Sequence, residues 1–276
     1  MSGGLFSHVL RAVERGAFPR TRKWAWRGLY NMLSRVWRDD DWRFMNYGYV
    51  AEGEGEGEAF ALDPDEEPER PFIGLYHQAV NGLDLEGRDV LEVGSGRGGG
   101  SRYIARTFAP RSVTGLDYSP GTVRRARALC ADTPDLAFKV GDAEALPFAD
   151  ASFDVVVNIE SSHCYANVAG FAEEVARVLR PGGIFTFADM RGRSMLEALD
   201  RDLSVPGLEL LQEWDLTEGV LAALDAAEAR KQARIARNRL SRRFMKEFAG
   251  TRGSLLYKGL QSGSVVYLAR RYRKHG

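Results

Sequence analysis

Between residues 72 and 190, short apolar runs alternate with stretches whose apolar residues recur at helical spacing. The runs predict strands at Asp89–Val93, Ser112–Leu116, Ala137–Val140, Phe153–Ile159 and Ile184–Ala188. The periodic stretches between them predict helices over Ser101–Phe108, Pro120–Ala131 and Phe171–Leu179. Strand–helix–strand units joined by short loops predict a parallel sheet covered by helices on both faces, an α/β class.

The flanks have another texture. Residues 1–50 are basic and aromatic, and Trp26, Tyr30, Leu33 and Trp37 fall on one face of a helix. Next comes Glu52-Gly53-Glu54-Gly55-Glu56-Gly57-Glu58, with Pro64, Pro68 and Pro71 beyond. Alternating glycine and like charges cannot bury a core, which makes 51–70 a mobile loop. After residue 190 the pattern is helical to about Phe248. Val265–Ala269 then predicts a last strand, paired with one near Leu255–Tyr257. The expected organisation is a lid and loop over 1–71, and a core over 72–276 with a helical insertion at about 194–248.

Composition narrows the classes. The 38 basic and 38 acidic side chains cancel, so no global field draws in nucleic acid or membrane. Cys130 and Cys164 lie far apart without metal-ligand spacing, which suits a reducing cytoplasm. No run approaches the ~20 apolar residues of a membrane span. The N-terminus lacks the apolar core of a signal peptide.

The strongest chemical signal is Val90-Leu91-Glu92-Val93-Gly94-Ser95-Gly96-Arg97-Gly98-Gly99. A buried strand runs into glycines and a helix start, where a ligand can approach the backbone and meet unpaired N–H groups. Gly94, Gly96 and Gly99 also satisfy the dinucleotide pattern, so an NAD-dependent oxidoreductase stays open at this point. Glu92 can face a ligand ammonium. Asp117, in Gly115-Leu116-Asp117-Tyr118-Ser119-Pro120, can accept ribose hydroxyls. Asp142, in Gly141-Asp142-Ala143, can accept from an adenine amino group, with the Ala143 N–H reaching a ring nitrogen.

Together these motifs resemble the class I S-adenosylmethionine-dependent methyltransferases. The resemblance extends to Leu146-Pro147-Phe148, Phe153-Asp154 and Leu179-Arg180-Pro181-Gly182-Gly183. It implies a Rossmann-like, mostly parallel seven-stranded sheet whose last strand is antiparallel, with S-adenosylmethionine as cofactor and S-adenosylhomocysteine as product. It implies that Gly94, Ser95 and Gly96 line the methionine part, Asp117 and Tyr118 the ribose side, and Asp142 and Ala143 the adenine.

Methyl transfer to a hydroxyl needs a base. At the end of strand four the sequence reads Asn158-Ile159-Glu160-Ser161-Ser162-His163-Cys164-Tyr165, and strand five ends at Asp189. Neighbouring parallel strands put His163 and Asp189 on one rim. His163 suits a general base with Asp189 holding its imidazole, although a satisfied loop histidine is the bland alternative. The pair resembles that of small-molecule and sugar O-methyltransferases related to the ubiquinone and sterol enzymes. There Glu160 would order the loop and touch cofactor. Phe44–Val50, with Tyr47 and Tyr49, resembles a tyrosine motif that caps the cofactor, and Ser262-Gly263 resembles bacterial lipid and secondary-metabolite methyltransferases of the phthiotriol type.

The expected acceptor is a small molecule, methylated at a hydroxyl. Alternatives are an electron-rich carbon such as an indole or pyrroloindole, a nitrogen, or a protein that binds cofactor without turnover. No cluster has divalent-metal spacing, so metal independence is expected. Trp24, Trp26, Trp37, Trp42 and Trp214 all fall outside the sheet core, suggesting a pocket roofed by the N-terminal helix and the insertion. The basic run Arg230, Lys231, Arg234, Arg237, Arg239, Arg242, Arg243 and Lys246 reads as a solvated helix face, not a nucleic-acid site. A homodimer is compatible with an exposed aromatic helix.

Overall fold

A computed structural model describes residues 43–51, 60–236 and 242–276. The Trp26/Tyr30/Trp37 stripe and the Gly/Glu run therefore lie outside the described residues.

Seven strands form one sheet: β1 Asp89–Val93, β2 Ser112–Asp117, β3 Leu136–Val140, β4 Phe153–Ile159, β5 Leu179–Gly192, β6 Leu208–Asp215 and β7 Val265–Lys274. Their order is β3-β2-β1-β4-β5-β7-β6. All pairs among β1 to β5 are parallel, while β7 runs antiparallel to both β5 and β6. The expected sheet, with its antiparallel last strand, is the one observed.

The helices are α1 Arg70–Val80, α2 Gly99–Thr107, α3 Pro120–Leu129, α4 Val168–Val178, α5 Leu196–Leu203, α6 Thr217–Ala226, α7 Glu228–Ala236, α8 Arg242–Phe248 and α9 Leu255–Gln261. Their starts follow from local chemistry. Ser119 Oγ accepts from the Thr122 N–H, with Pro120 in the first turn of α3. Asn167 caps α4 through the Gly170 N–H. Phe171, Ala172, Val175, Ala176 and Val178 then make one buried face of α4.

Strand alternation divides the core between the sheet's two faces. Val155, Val157 and Ile159 join the cluster of Leu75, Ile104 and Tyr267, whereas Val156 joins Phe171, Phe185 and Phe187.

The region after residue 190 departs from expectation. Leu208–Asp215 was expected to be helical and is a strand at the sheet edge. Its Leu-Glu-Leu-Leu-Gln-Glu sequence carries helix-forming residues, and ladder pairing with β7 overrides them. Leu255–Tyr257 was expected to pair with the last strand. It opens α9 instead, with Ser254 Oγ accepting from the Tyr257 N–H. Trp214 stands on β6 beneath the Arg271 guanidinium, off the cavity described next.

Candidate active site

The chain leaves β1 and turns through Gly94 to Gly98 into α2. Gly94 (φ +80°) and Gly98 (φ +84°) occupy the left-handed region. A Cβ at Gly94 would meet Ser161 Oγ at 2.2 Å, and one at Gly98 would meet the Phe138 ring at 2.5 Å. Conformation and space both demand glycine here.

Asp117 ends β2 beside this turn. Its two oxygens accept from the Gly96 N–H at 3.1 Å and the Ser119 N–H at 2.8 Å. Burial pushes its pKa up to about 6 against these bonds, with the charge of Glu92 adding to the rise.

Gly94, Ser95, Gly96, Asp117, Tyr118, Asp142 and Ala143 line one cavity. Glu160, Ser161, Cys164 and Tyr165 line it as well, and Arg43, Phe44, Met45 and Asn46 complete the wall. Asp142 also organises its own turn, accepting from the Glu144 N–H at 3.0 Å.

Two expected residues are placed elsewhere. Glu92 is fully buried, off the lining, and accepts from Tyr76 Oη at 2.7 Å and from Ser101 Oγ. Its carboxylate is engaged by the protein itself. Tyr49 also lies off the lining. Its ring packs where a Gly219 side chain would stand, and its N–H donates to Pro71 O at 2.7 Å. The contact with Glu160 comes from Tyr47, whose N–H donates to Glu160 Oε1 at 2.8 Å and whose hydroxyl donates to Phe248 O at 3.2 Å.

Glu160 carries a left-handed backbone (φ +47°), an uncommon conformation for a residue with a Cβ. The buried Tyr267 hydroxyl donates to its Oε1 at 2.9 Å. Burial raises the Glu160 pKa to about 8 in spite of these two bonds.

His163 and Asp189 are brought together from the ends of β4 and β5. His163 Nδ1 lies 2.8 Å from Asp189 Oδ1, and the His163 N–H donates to Oδ2 at 2.9 Å. Ser162 Oγ donates to the same Oδ2 at 2.6 Å, and Arg191 stands 3.0 Å from it. Burial works against the Asp189 charge, but His163 and Arg191 outweigh it and hold the carboxyl well below its usual range. Burial likewise opposes an imidazolium, and Cys164 and Asp189 overcome it, holding His163 well above 6.5. His163 itself lies just off the lining formed by its neighbours Ser161 and Cys164.

Comparison with known proteins decides what this arrangement belongs to. A methyltransferase domain family matches residues 91–187. A phthiotriol/phenolphthiotriol dimycocerosates methyltransferase of Mycobacterium tuberculosis (strain ATCC 25177 / H37Ra) is 36% identical over 267 residues, covering 95% of this chain and 96% of the relative. The chain is a class I S-adenosylmethionine-dependent methyltransferase. A fatty-acid O-methyltransferase of Mycolicibacterium smegmatis is 40% identical to the enzyme over 205 residues, 73% of each chain. The crystal structure of the [4+2]-cyclase SpnF superposes with TM-score 0.71 at 20% identity, covering 90% of this chain and 94% of that one, which speaks for the fold alone.

S-adenosylmethionine is thus the methyltransferase's donor, and the oxidoreductase alternative falls. The lining suits such a polar ligand. Ser95 Oγ and Asn46 Oδ1 are buried there without a hydrogen-bond partner among the described residues. Sequence reasoning missed Asn46, Tyr267 and Arg191. Asn46 sat within the quoted tyrosine motif, and Arg191 lies two residues beyond Asp189 on β5. Tyr267 had no local signal, because it reaches Glu160 from 107 residues away. Among the described residues, no helix is long and apolar enough to cross a membrane.

Proposed function

We propose that the enzyme methylates an oxygen of a lipid-like acceptor, with His163 as base and Asp189 as its positioning partner. The observation that carries this reading is the 2.8 Å contact between His163 Nδ1 and Asp189 Oδ1, beside the cavity wall of Ser161 and Cys164. The names of the relatives support the acceptor class, one specifying a triol and another a fatty-acid oxygen.

Asp117 would hold the ribose hydroxyls, Asp142 the adenine, and the Gly94–Gly96 backbone with Ser95 and Asn46 the methionine part. The bound cofactor supplies an electrophilic methyl carbon on a sulfonium. With Nδ1 turned to Asp189, His163 would take the acceptor's proton on Nε2 while the acceptor oxygen displaced the sulfur from the methyl carbon, leaving S-adenosylhomocysteine. Asp189 fixes the tautomer and stabilises the imidazolium that forms. Ser162 and Arg191 hold the carboxylate in place. The strap of Arg43 to Asn46 covers the donor and keeps water from the reaction.

The test is transfer from methyl-labelled S-adenosylmethionine to a long-chain diol and to a fatty acid, with the label located by mass spectrometry. Label on oxygen supports the reading. No label on either acceptor counts against it.

A further inference from the structure

Asp189 is held by more than His163, and its other partners bear on how strongly the imidazole keeps its proton. Asp189, Ser162 and Arg191 are all buried. Asp189 and Arg191 stand two residues apart on β5, and Ser162 opens the turn Ser162–Cys164 that carries His163. Arg191 Nη2 donates to Ser162 Oγ at 2.6 Å. Its Nη1 donates to Met190 O at 2.7 Å and stands 3.0 Å from Asp189 Oδ2. A guanidinium can only donate, so Ser162 must turn its own hydrogen to Asp189 Oδ2, 2.6 Å away. The His163 N–H reaches the same oxygen at 2.9 Å. Oδ1 takes the Met190 N–H at 2.8 Å beside His163 Nδ1. Oδ2 thus faces three partners besides the ring, and one of them is a permanent cation.

A buried carboxylate pulls a proton onto a neighbouring imidazole, and with no other cation at hand it would keep the ring protonated through neutral pH. A protonated ring takes no proton from an acceptor. Arg191 offsets the same carboxylate charge from its other oxygen. Among the described residues, the ion pairs of Asp189 are those with His163 and Arg191. The other ionisable groups felt by the pair are Cys164 next to the ring, Glu160 just past β4, Tyr47 on the strap and Tyr267 on β7. Burial raises both tyrosines far above their usual range and keeps them neutral. Of these groups, Arg191 is the one whose charge is fixed at every working pH.

We propose that Arg191 is a positioning residue which, through Asp189 and with Ser162, limits how tightly His163 holds its proton and so keeps the ring available as a base near neutral pH. This deepens the reading of His163 as base and rests on it.

The experiment is an NMR titration of the His163 ring in the full chain, labelled at histidine Cε1 and saturated with S-adenosylhomocysteine. The signal is assigned by its loss in His163→Gln. Beside it runs the kcat–pH profile for methyl transfer to a long-chain diol. The wild-type ring releases its proton within the pH range in which the protein stays folded. Arg191→Gln raises the midpoint by roughly one pH unit, moves the rise of kcat upward with it and lowers kcat about tenfold at neutral pH. Arg191→Lys keeps the charge and returns both readings toward wild type. Ser162→Ala raises the midpoint in the same direction by less, and decides the matter if Arg191→Gln does not fold. A midpoint that these variants leave in place overturns the proposal and makes Arg191 a brace for the loop alone. A wild-type ring that keeps its proton throughout overturns it too. A midpoint that moves without the kcat profile leaves the role of Arg191 standing and overturns His163 as base. The titration needs no acceptor, so it decides the role of Arg191 whether or not the diol is methylated.

Discussion

Under the proposed reading, the donor end and the acceptor end of the site are built by opposite rules. At the donor end each carboxylate is satisfied from nearby: Glu92 by Tyr76 and Ser101, Asp117 by the N–H groups of Gly96 and Ser119. At the acceptor end Glu160 adopts a left-handed backbone, and its bonds come from Tyr47 and Tyr267, 113 and 107 residues away in the chain. The lesson is one of reach: the first set of bonds is closed within a few tens of residues of chain, whereas Glu160 is held only once distant elements have packed together.

The largest break in this comparison should come from the acceptor end's base. His163→Gln is expected to lower kcat by roughly 10²- to 10⁴-fold with S-adenosylhomocysteine affinity unchanged, read by steady-state kinetics beside calorimetry. The pH profile sharpens the assignment. The His163 pKa is raised, so the neutral imidazole a base requires is scarce at pH 6.5 and grows as pH rises toward the raised value. For a hydroxyl acceptor, kcat should climb with pH about tenfold per unit below that pKa, and the climb should vanish in His163→Gln. A flat wild-type profile would count against the base.

The donor end should break more locally. Asp117→Ala removes the acceptor of two backbone N–H bonds and the carboxylate aimed at the ribose. Affinity for S-adenosylhomocysteine should fall by about 100-fold, whereas kcat at saturating donor should fall far less. Equal losses in both quantities would mean that the two ends are not separable.

The smallest effect belongs to neither end. Glu213 on β6 pairs with Arg270 at 2.5 Å and is half exposed. Glu213→Ala should cost about 0–1 kcal/mol in thermal or urea unfolding and leave kinetics unchanged. It serves as the control for the other variants.

The same contrast governs what the sequence discloses. The glycine turn, Asp117 and Asp142 are legible because each motif is a few residues long and sits where a strand meets a helix. The continuous apolar run of β4 likewise declares a buried parallel strand. Tyr47 and Tyr49 share one motif, and only the path of the strap past Gly219 decides that Tyr47 reaches Glu160 while Tyr49 turns away. Lys231 sat inside a basic run and read as solvated, since nothing local marks that its Nζ is buried. The strand Leu208–Asp215 was hidden by helix-favouring residues on an edge with little apolar alternation.

The order of the sheet also bears on how the chain is made. Among the described residues β6 pairs only with β7, and β7 stands between β5 and β6 although it is synthesised last of the three. Until β7 is made, β6 lacks the strand it pairs with and the edge of β5 that β7 covers is open. A translating chain therefore passes through a stage with an unprotected sheet edge. Pauses in synthesis before Val265 should be the moments when a chaperone matters most.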